Sequence, residues 1–591
     1  MRGSTTPPTR PAARFASLAA VDYHRAASMG PHPETSAEPA PATRTTPPRP
    51  AAYLRELAIR LLDRWRGYWL EPGGRTAAAV VRIAVAVSML WMLWRMAGQP
   101  RAASQFYYRH GIWMLYPGRP DEAVLAAVTA VAWIATAAML VGLWTRLAHV
   151  ASAITTMALA AYAVSDNAAW SHTDVPPVLA TLALLGARSG DALSIDAWWR
   201  ARRGRPAAVG ANYLGAVRLV QFAVAAVFVF AGYEKLRSGG TALAWALSDN
   251  LRHQLLTRFD WSGAERTAAA RWLLGAAWRY QLCASMNLVS QVSPLLAVIF
   301  VRRPWLRALV GALWCSEVVG LGMVMGFWNP HWLPLGAAFI DWDALAARLG
   351  ARRPVDPPPR SRARLWYATA FVVFFAAQGF WLNERLHAYP FSRFALFGTV
   401  RAKPPYRVHQ TYELPGGHLE VLPAAPEVDA WLAQRGTYRW LWRERNPDTA
   451  RQALANVLDD ARRAWPAAGL TGARLWLSIF QAPAYPAPAR LDRFDVAVLG
   501  ELDRGAFRSA IGTILPDGKT WIAPPGAPAL AQIQLFEIRN DLPAPVAVAA
   551  TPTPTGFVLA DPLRGDPVYL IGRTADQDRP WLVAFRSRRG F

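Results

Sequence analysis

A lysine stands at the end of an apolar stretch in Phe230-Ala231-Gly232-Tyr233-Glu234-Lys235-Leu236, and a histidine follows another in Ala169-Trp170-Ser171-His172-Thr173-Asp174. An amine desolvated at the end of a helix bundle can lose its charge near neutral pH and serve as a base. An imidazole beside it can orient a carbonyl or quinone oxygen by hydrogen bonding. Each residue has a plainer reading as well. A terminal lysine commonly snorkels to the membrane interface, and a loop histidine can cap the helix that follows. Glu234 favours the plainer reading of Lys235, although adjacent helix positions point about 100° apart.

Arg82, Arg218 and Glu317 fall within or near apolar segments, where an isolated charge is costly, so each should find a partner or an aqueous cavity. Structural pairing of Glu317 with Arg218 or Arg82 is the simplest expectation, and a proton or anion site is the sharper one. Leu321-Gly322-Met323-Val324-Met325-Gly326 supplies small residues for close helix approach. Tyr107-Tyr108 and Tyr389-Pro390-Phe391 read as interface anchors. No H-E-x-x-H or comparable spacing is present, so no metal site is expected. Cys283 and Cys315 are the two cysteines, too few for a disulfide framework or a thiolate cluster.

These residues need a membrane-embedded scaffold. The 591-residue chain is 53% apolar, carries 28 Trp and is only 18% charged, a balance that suits a bilayer better than a soluble enzyme. Spans need roughly 20 apolar residues, and about nine segments qualify. They lie near 76–97, 123–144, 147–165, 174–188, 213–234, 279–301, 306–326, 330–347 and 365–383, the fourth and eighth being short enough for half-spans. The net charge of +24 comes from arginines in short loops, such as Arg146, those at 200–205, Arg302-Arg303 and those at 348–364. Basic-aromatic recognition motifs are missing, so topology explains the charge and no nucleic-acid partner is expected. The positive-inside rule puts those loops and the N-terminus in the cytoplasm. His172, the Lys235 end, the 235–275 loop and everything after about 385 then share the extracytoplasmic face.

Residues 1–55, rich in Pro, Ala, Thr and Arg, read as a disordered cytoplasmic tail, and no cleavable signal peptide is visible. Residues 56–400 read as the transmembrane domain. Beyond about 404 the pattern turns to short alternating runs at 474–479, 493–499 and 532–538, with one amphipathic helix at 449–465. The expected fold is therefore a polytopic α-helical membrane bundle with a C-terminal, extracytoplasmic, β-rich α+β domain over 401–591. Its Ala/Arg/Pro-rich composition suggests a bacterial inner membrane with this domain in the periplasm.

At several of these segments the chain resembles the vitamin K-dependent gamma-carboxylase family and its bacterial relatives with the horizontally transferred transmembrane (HTTM) domain. The resemblance rests on Gly142-Leu143-Trp144-Thr145-Arg146, Trp170-Ser171-His172, Ser189-Gly190-Asp191-Ala192-Leu193-Ser194-Ile195-Asp196, the Lys235 segment and 320–326, and it covers about 75–400. It implies that Lys235 is a catalytic base that deprotonates reduced vitamin K or another quinone. Oxygen then yields a strongly basic oxidised quinone that takes a glutamate γ-proton, and carbon dioxide adds. It also implies that His172 helps hold the quinone, with Ser171 and Trp170 beside it in the cofactor site. Ser171 stands where the family has an asparagine, and Glu234 where animal members have a second lysine. A histidine common on the seventh span is not evident around Trp314-Cys315-Ser316-Glu317.

The leading expectation is a membrane enzyme that couples quinone oxidation or epoxidation to carboxylation of a peptide or protein substrate on the extracytoplasmic side. The alternatives are a non-catalytic scaffold or envelope-assembly protein and a transporter. The transporter reading lacks any internal repeat or paired broken helices. Membrane lipid is a partner in every reading, and oligomeric state is left open.

Overall fold

The computed structural model describes residues 50–380 and 406–586, apart from 72, 98–108, 168–173, 186, 206–212, 239–242, 261–264, 351–361, 414–450 and scattered short stretches beyond 452. Two compact units divide the chain, Met1–Leu61 and Leu62–Phe591. In the first, the described residues are the opening turns of α1 (Pro50–Trp69), where Glu56 and Arg60 pair one turn apart at 2.5 Å. The tail expected over 1–55 lies almost wholly outside the described residues, as do the anchors Tyr107, Tyr108 and Tyr389.

The second unit opens as a helical bundle of α2 (Arg75–Ala97), α3 (Glu122–Val141), α4 (Thr145–Asn167), α5 (Val175–Leu184), α6 (Ile195–Arg202) and α7 (Tyr213–Ser238). Next come α8 (Ala244–Leu247), α9 (Asn250–Phe259), α10 (Ala268–Leu274), α11 (Ala277–Val292), α12 (Pro294–Ile299), α13 (Pro304–Met325), α14 (Trp342–Arg348) and α15 (Arg362–Phe380). Among the described residues, six stretches are long and apolar enough to cross a membrane: Arg75–Ala97, Glu122–Val141, Thr145–Ser165, Tyr213–Leu236, Ala277–Ile299 and Pro304–Met325. These are the first, second, third, fifth, sixth and seventh expected segments. The fourth condenses to α5, whose ten residues rise only about 15 Å, half a bilayer core. The eighth is a 3-10 segment, Pro330–Phe339, with Pro334 inside it lacking the amide that a continuous α-helix would use.

α7 runs through the middle of the bundle. Its apolar residues cover every face, which suits a helix buried all round, and 83% of its most apolar window is buried. Val220, Ala223, Val224, Val227 and Phe228 pack in one core with α5, where Val175, Val178, Leu179, Ala183 and Leu184 are fully buried. α3 and α4 form a hairpin. Asp121 caps the start of α3 by accepting from the Val124 amide at 2.7 Å. Gly142 ends it in the left-handed region at φ 69°, and a Cβ there would strike the Arg82 guanidinium and Ser194 as well.

The segment expected as the 235–275 loop folds into a helical cap made of α8, α9 and α10. Trp245, Leu255, Phe259, Leu273, Tyr280 and Met325 give it a small core of its own.

The C-terminal part is β-rich, as the alternating runs predict. Its strands are β1 (Tyr406–Glu413), β2 (Gly472–Gln481), β3 (Asp492–Asp503), β4 (Ala506–Arg508), β5 (Thr513–Ile514) and β6 (Thr520–Ile522). They continue with β7 (Leu530–Arg539), β8 (Leu542–Ala547), β9 (Ala550–Thr553), β10 (Gly556–Leu559), β11 (Val568–Thr574) and β12 (Pro580–Arg586). The larger sheet has the order β1-β2-β3-β12-β11-β7-β8, with β4 on β3, and the smaller β5-β6-β10-β9. Only β3 and β12 pair in parallel among these strands; the other pairs are antiparallel. Trp521 stacks on Phe557 at 4.5 Å and donates to the Val583 carbonyl, tying the small sheet to the large one. Arg474 and Glu501 face each other across β2 and β3 as a buried ion pair. Helical residues at 454–456 and 458–459 fall inside the expected helix at 449–465, and Leu454 and Leu458 are buried.

A short loop of this β-rich part reaches the helical cap. The Tyr485 amide donates to Asp249 at 3.0 Å, Arg252 of α9 donates to the Ala487 carbonyl at 2.6 Å, and Arg266 donates to the Ala489 carbonyl. Asp249 also accepts from the Tyr280 hydroxyl.

Candidate functional site

Lys235 lies in the last turns of α7 and is 1% exposed, so its ammonium is inside the bundle and does not snorkel to an interface. An aromatic clamp sets its direction. Phe228, two helical turns below Lys235 and on the same side, contacts Trp314 of α13 with ring centroids 4.2 Å apart, and Trp314 stacks on Trp332 at 6.1 Å. Glu317 is three residues beyond Trp314 and shares its side of α13. The clamp that joins the two helices therefore turns Lys235 and Glu317 toward each other.

Between them stands Asn287 of α11. Lys235 Nζ donates to Asn287 Oδ1 at 2.5 Å, and Asn287 Nδ2 donates to Glu317 Oε1. Gln291, one turn along α11, donates to the same carboxylate oxygen at 3.1 Å. The Lys235 ammonium also sits 4.2 Å above the Trp245 ring, a cation–π contact from the helical cap. Cation, amide and carboxylate thus form a chain across three helices, roofed by an indole.

This chain forms the polar end of a cavity of about 360 Å³, a size typical of small-molecule sites. Its walls are apolar, with Leu251, Leu273, Cys283, Met286, Leu321 and Val324 among them. Trp272, Leu282 and Met286 line it and are also more than half exposed, so the mouth lies on the apolar outer surface between α10, α11 and α13. Arg279 stacks at 4.8 Å over Trp272 and at 5.6 Å over Trp278, an aromatic and basic rim of the kind found at a membrane interface. An apolar body with one polar end fits this space.

Glu317 does not pair with Arg218 or Arg82. Arg218 donates to the Glu71 carboxylate and the Tyr68 carbonyl and lies 4.7 Å over the Tyr68 ring. It is roughly 25 Å from Lys235 along α7 at about 1.5 Å per residue, too far to reach the same carboxylate. Arg82 spends its guanidinium on the carbonyls of Ser189, at 2.7 Å, and Leu193, at 2.5 Å. The small residues at 320–326 also differ from the expectation. Gly322 admits the Trp328 ring, Gly326 caps α13 at φ 68°, and Gly320 lines the cavity where an added Cβ would meet nothing within 4 Å.

Two motifs quoted for the resemblance build one structural knot. Asp196 accepts from the amides of Trp144 and Thr145, at 2.9 and 2.8 Å, and from the Thr145 hydroxyl, so it caps α4. The Asp196 amide donates back to the Gly142 carbonyl at 3.0 Å. Gly190 leaves room for Thr145.

His172, Ser171 and Trp170 lie outside the described residues. Asp174, the next described residue, pairs with Arg95, and the buried His331 has Nε2 4.0 Å from the same carboxylate. Among the described residues, no group of three His, Cys, Asp or Glu side chains is placed to hold a metal ion. Sequence reasoning missed Asn287, Gln291 and Trp245. The first two did leave a signal, as two amides one turn apart inside an apolar run. No protein-family model, curated protein or solved structure matches the chain.

Proposed function

We propose that the chain is a multi-pass membrane enzyme that binds a lipophilic reduced quinone in the 360 Å³ cavity, with Lys235 as the base. The observation that carries this reading is the lysine–amide–carboxylate chain at the polar end of an apolar pocket whose mouth lies on the bundle's outer face. The residues present fit such a ring. Apolar walls accept its body and exclude water, while Lys235 Nζ can reach a ring oxygen at the closed end. Lys235 acts in its neutral amine form: it takes the hydroxyl proton and becomes the ammonium that Glu317, acting through Asn287, stabilises. Trp245 shields that charge from water and contributes its π face. A reduced quinone, once bound and oxidised by oxygen, supplies the strong basicity that glutamate carboxylation needs. This is the chemistry implied by the resemblance to the vitamin K-dependent gamma-carboxylase and HTTM family, and the same resemblance implies a quinone-holding role for His172, with Ser171 and Trp170.

In the same reading α5 and the 330–339 segment are the half-spans, and α15 the last, of about nine apolar segments, with the N-terminus cytoplasmic and the β-rich domain on the opposite face. A bacterial inner membrane and a peptide or protein acceptor go with it. The test is to incubate purified protein with reduced naphthoquinone and oxygen and to follow epoxide formation for wild type and Lys235→Ala. Activity in wild type and its loss in the variant is the expected result. Equal turnover in both removes the lysine-base mechanism.

A scaffold role is the second reading, favoured by the contacts of Asp249, Arg252 and Arg266 with the 485–489 loop of the β-rich domain. A folded wild-type protein with no turnover moves the assignment there.

A further inference from the structure

α1 (Pro50–Trp69) is an amphipathic helix whose apolar side chains stand in the open. At about 100° per residue, Leu54, Leu57, Ala58, Leu61, Leu62 and Trp65 fall on one strip about 140° wide. Leu54, Leu57, Leu61 and Leu62 are 62%, 41%, 55% and 44% exposed, so four large aliphatic side chains on one strip lack a cover. The charges are sorted around it. Arg55 borders one edge and Arg64 the other, while Glu56 and Asp63 stand nearly opposite its centre. Ile59 is the one apolar residue of the 54–66 stretch outside the strip. Glu56 pairs with Arg60 at 2.5 Å and Asp63 with Arg66 at 3.7 Å, so the helix keeps a positive surplus at the two edges of its apolar strip.

The last turns of α1 set its depth. The Trp65 indole donates to the Thr369 hydroxyl of α15 at 2.8 Å, and the Tyr68 hydroxyl donates to the Val298 carbonyl at 3.0 Å, in the final turn of the Ala277–Ile299 span. Trp and Tyr are the residues that settle at headgroup level, and the positive-inside rule assigns the neighbouring basic loops at 302–303 and 348–364 to the cytoplasm. Charge separates the possible covers. The 49 residues before α1 hold six arginines and three acids, and a second α1 would bring the same positive surplus, so both are repelled. An anionic headgroup layer is attracted. We propose that residues 54–66 form an interfacial helix, lying in the plane of the cytoplasmic leaflet with its leucines among the acyl chains and Arg55 and Arg64 on the phosphates of anionic glycerophospholipids. Glu56 and Asp63 then point to water. The proposal takes the membrane sidedness from the reading above and nothing from its quinone chemistry.

The test places the full-length protein in nanodiscs of phosphatidylcholine or of phosphatidylglycerol and follows hydrogen–deuterium exchange of the 54–66 amides. Protection should be about fivefold higher per surplus arginine in phosphatidylglycerol, and Arg55→Gln with Arg64→Gln should remove most of the difference between the two lipids. Equal protection of the wild type in both lipids overturns the part given to the anionic headgroup. Depth is read separately, from spin labels on Leu57→Cys and Leu61→Cys, with Glu56→Cys and Asp63→Cys as controls, in a Cys283→Ser, Cys315→Ser background. Labels on the strip should collide with dissolved oxygen and not with a water-soluble nickel chelate, and the controls should do the reverse. Strip labels that meet the nickel chelate as freely as the controls overturn the lipid-facing helix. Strip labels shielded from both reagents overturn it in favour of a protein cover, a second copy or the N-terminal segment. The four labelled positions are exposed, so the labels leave the bundle's packing untouched.

Discussion

The chain Lys235–Asn287–Glu317 predicts a specific energetic coupling. Two hydrogen bonds in series across one amide hold cation and carboxylate on the order of 6 Å apart, and at an effective dielectric of about 20 their attraction is ~3 kcal/mol. Lys235→Met leaves a buried carboxylate with only amide donors, and Glu317→Gln leaves a buried ammonium with an amide oxygen and an indole face. Removing one member of a buried pair costs about 3–5 kcal/mol, because the other charge stays desolvated. The double variant strands neither charge, so its loss should fall short of the sum of the two single losses by ~3 kcal/mol. The assay is SDS-driven unfolding in mixed micelles of wild type, both single variants and the double variant, all at one pH and ionic strength. Screening by salt should change the coupling little, since both groups are more than nine-tenths buried. Single losses that add to within about 0.5 kcal/mol would refute the shared network. Lys235 and Glu317 would then be two independent buried groups.

The cavity and the β-rich domain give two further predictions. Gly320→Leu grows a side chain into space that holds no atom within 4 Å of its Cβ. It should weaken binding of a naphthoquinone probe by about tenfold or more, measured by tryptophan quenching, while leaving stability unchanged or better because glycine is a poor residue inside a helix. Unchanged affinity would move the ligand elsewhere. Glu501→Ala should cost the β-rich domain about 3–5 kcal/mol in thermal unfolding followed by near-ultraviolet circular dichroism, and Arg474→Leu with Glu501→Leu should recover most of that loss. A double variant no more stable than Glu501→Ala would argue against a stranded Arg474 charge as the cause.

Hydropathy made the long helices legible because a membrane span is a matter of length and composition, and the segments at 76–97 and 213–234 meet both demands within a turn of their observed bounds. Length also explains the misfits. Val175–Leu184 and Pro330–Phe339 are apolar enough to resemble spans, but neither covers a bilayer core as a continuous α-helix, since one is too short and prolines tighten the other. The site was half legible. An apolar run that ends in lysine points to Lys235, but which charge answers it depends on how α7, α11 and α13 cross, and no spacing within a single helix encodes that. Arg218 and Glu317 looked complementary as charges and proved to be far apart in space. Trp245 was hidden for a different reason: it lies in what reads as a loop, and only the packing of α8 and α9 brings its ring over the ammonium.

Arg252, which holds the Ala487 carbonyl, is flanked on α9 by Leu251 and Gln254, and those two side chains form part of the cavity wall. The β-rich domain and the pocket thus share one short helix of ten residues. Such sharing carries a thermodynamic obligation. If a molecule that engages the domain changes the affinity of the pocket by some factor, then filling the pocket must change the domain's affinity for that molecule by the same factor. Two ligands that never touch would each report on the other's concentration, with α9 as the balance beam between them.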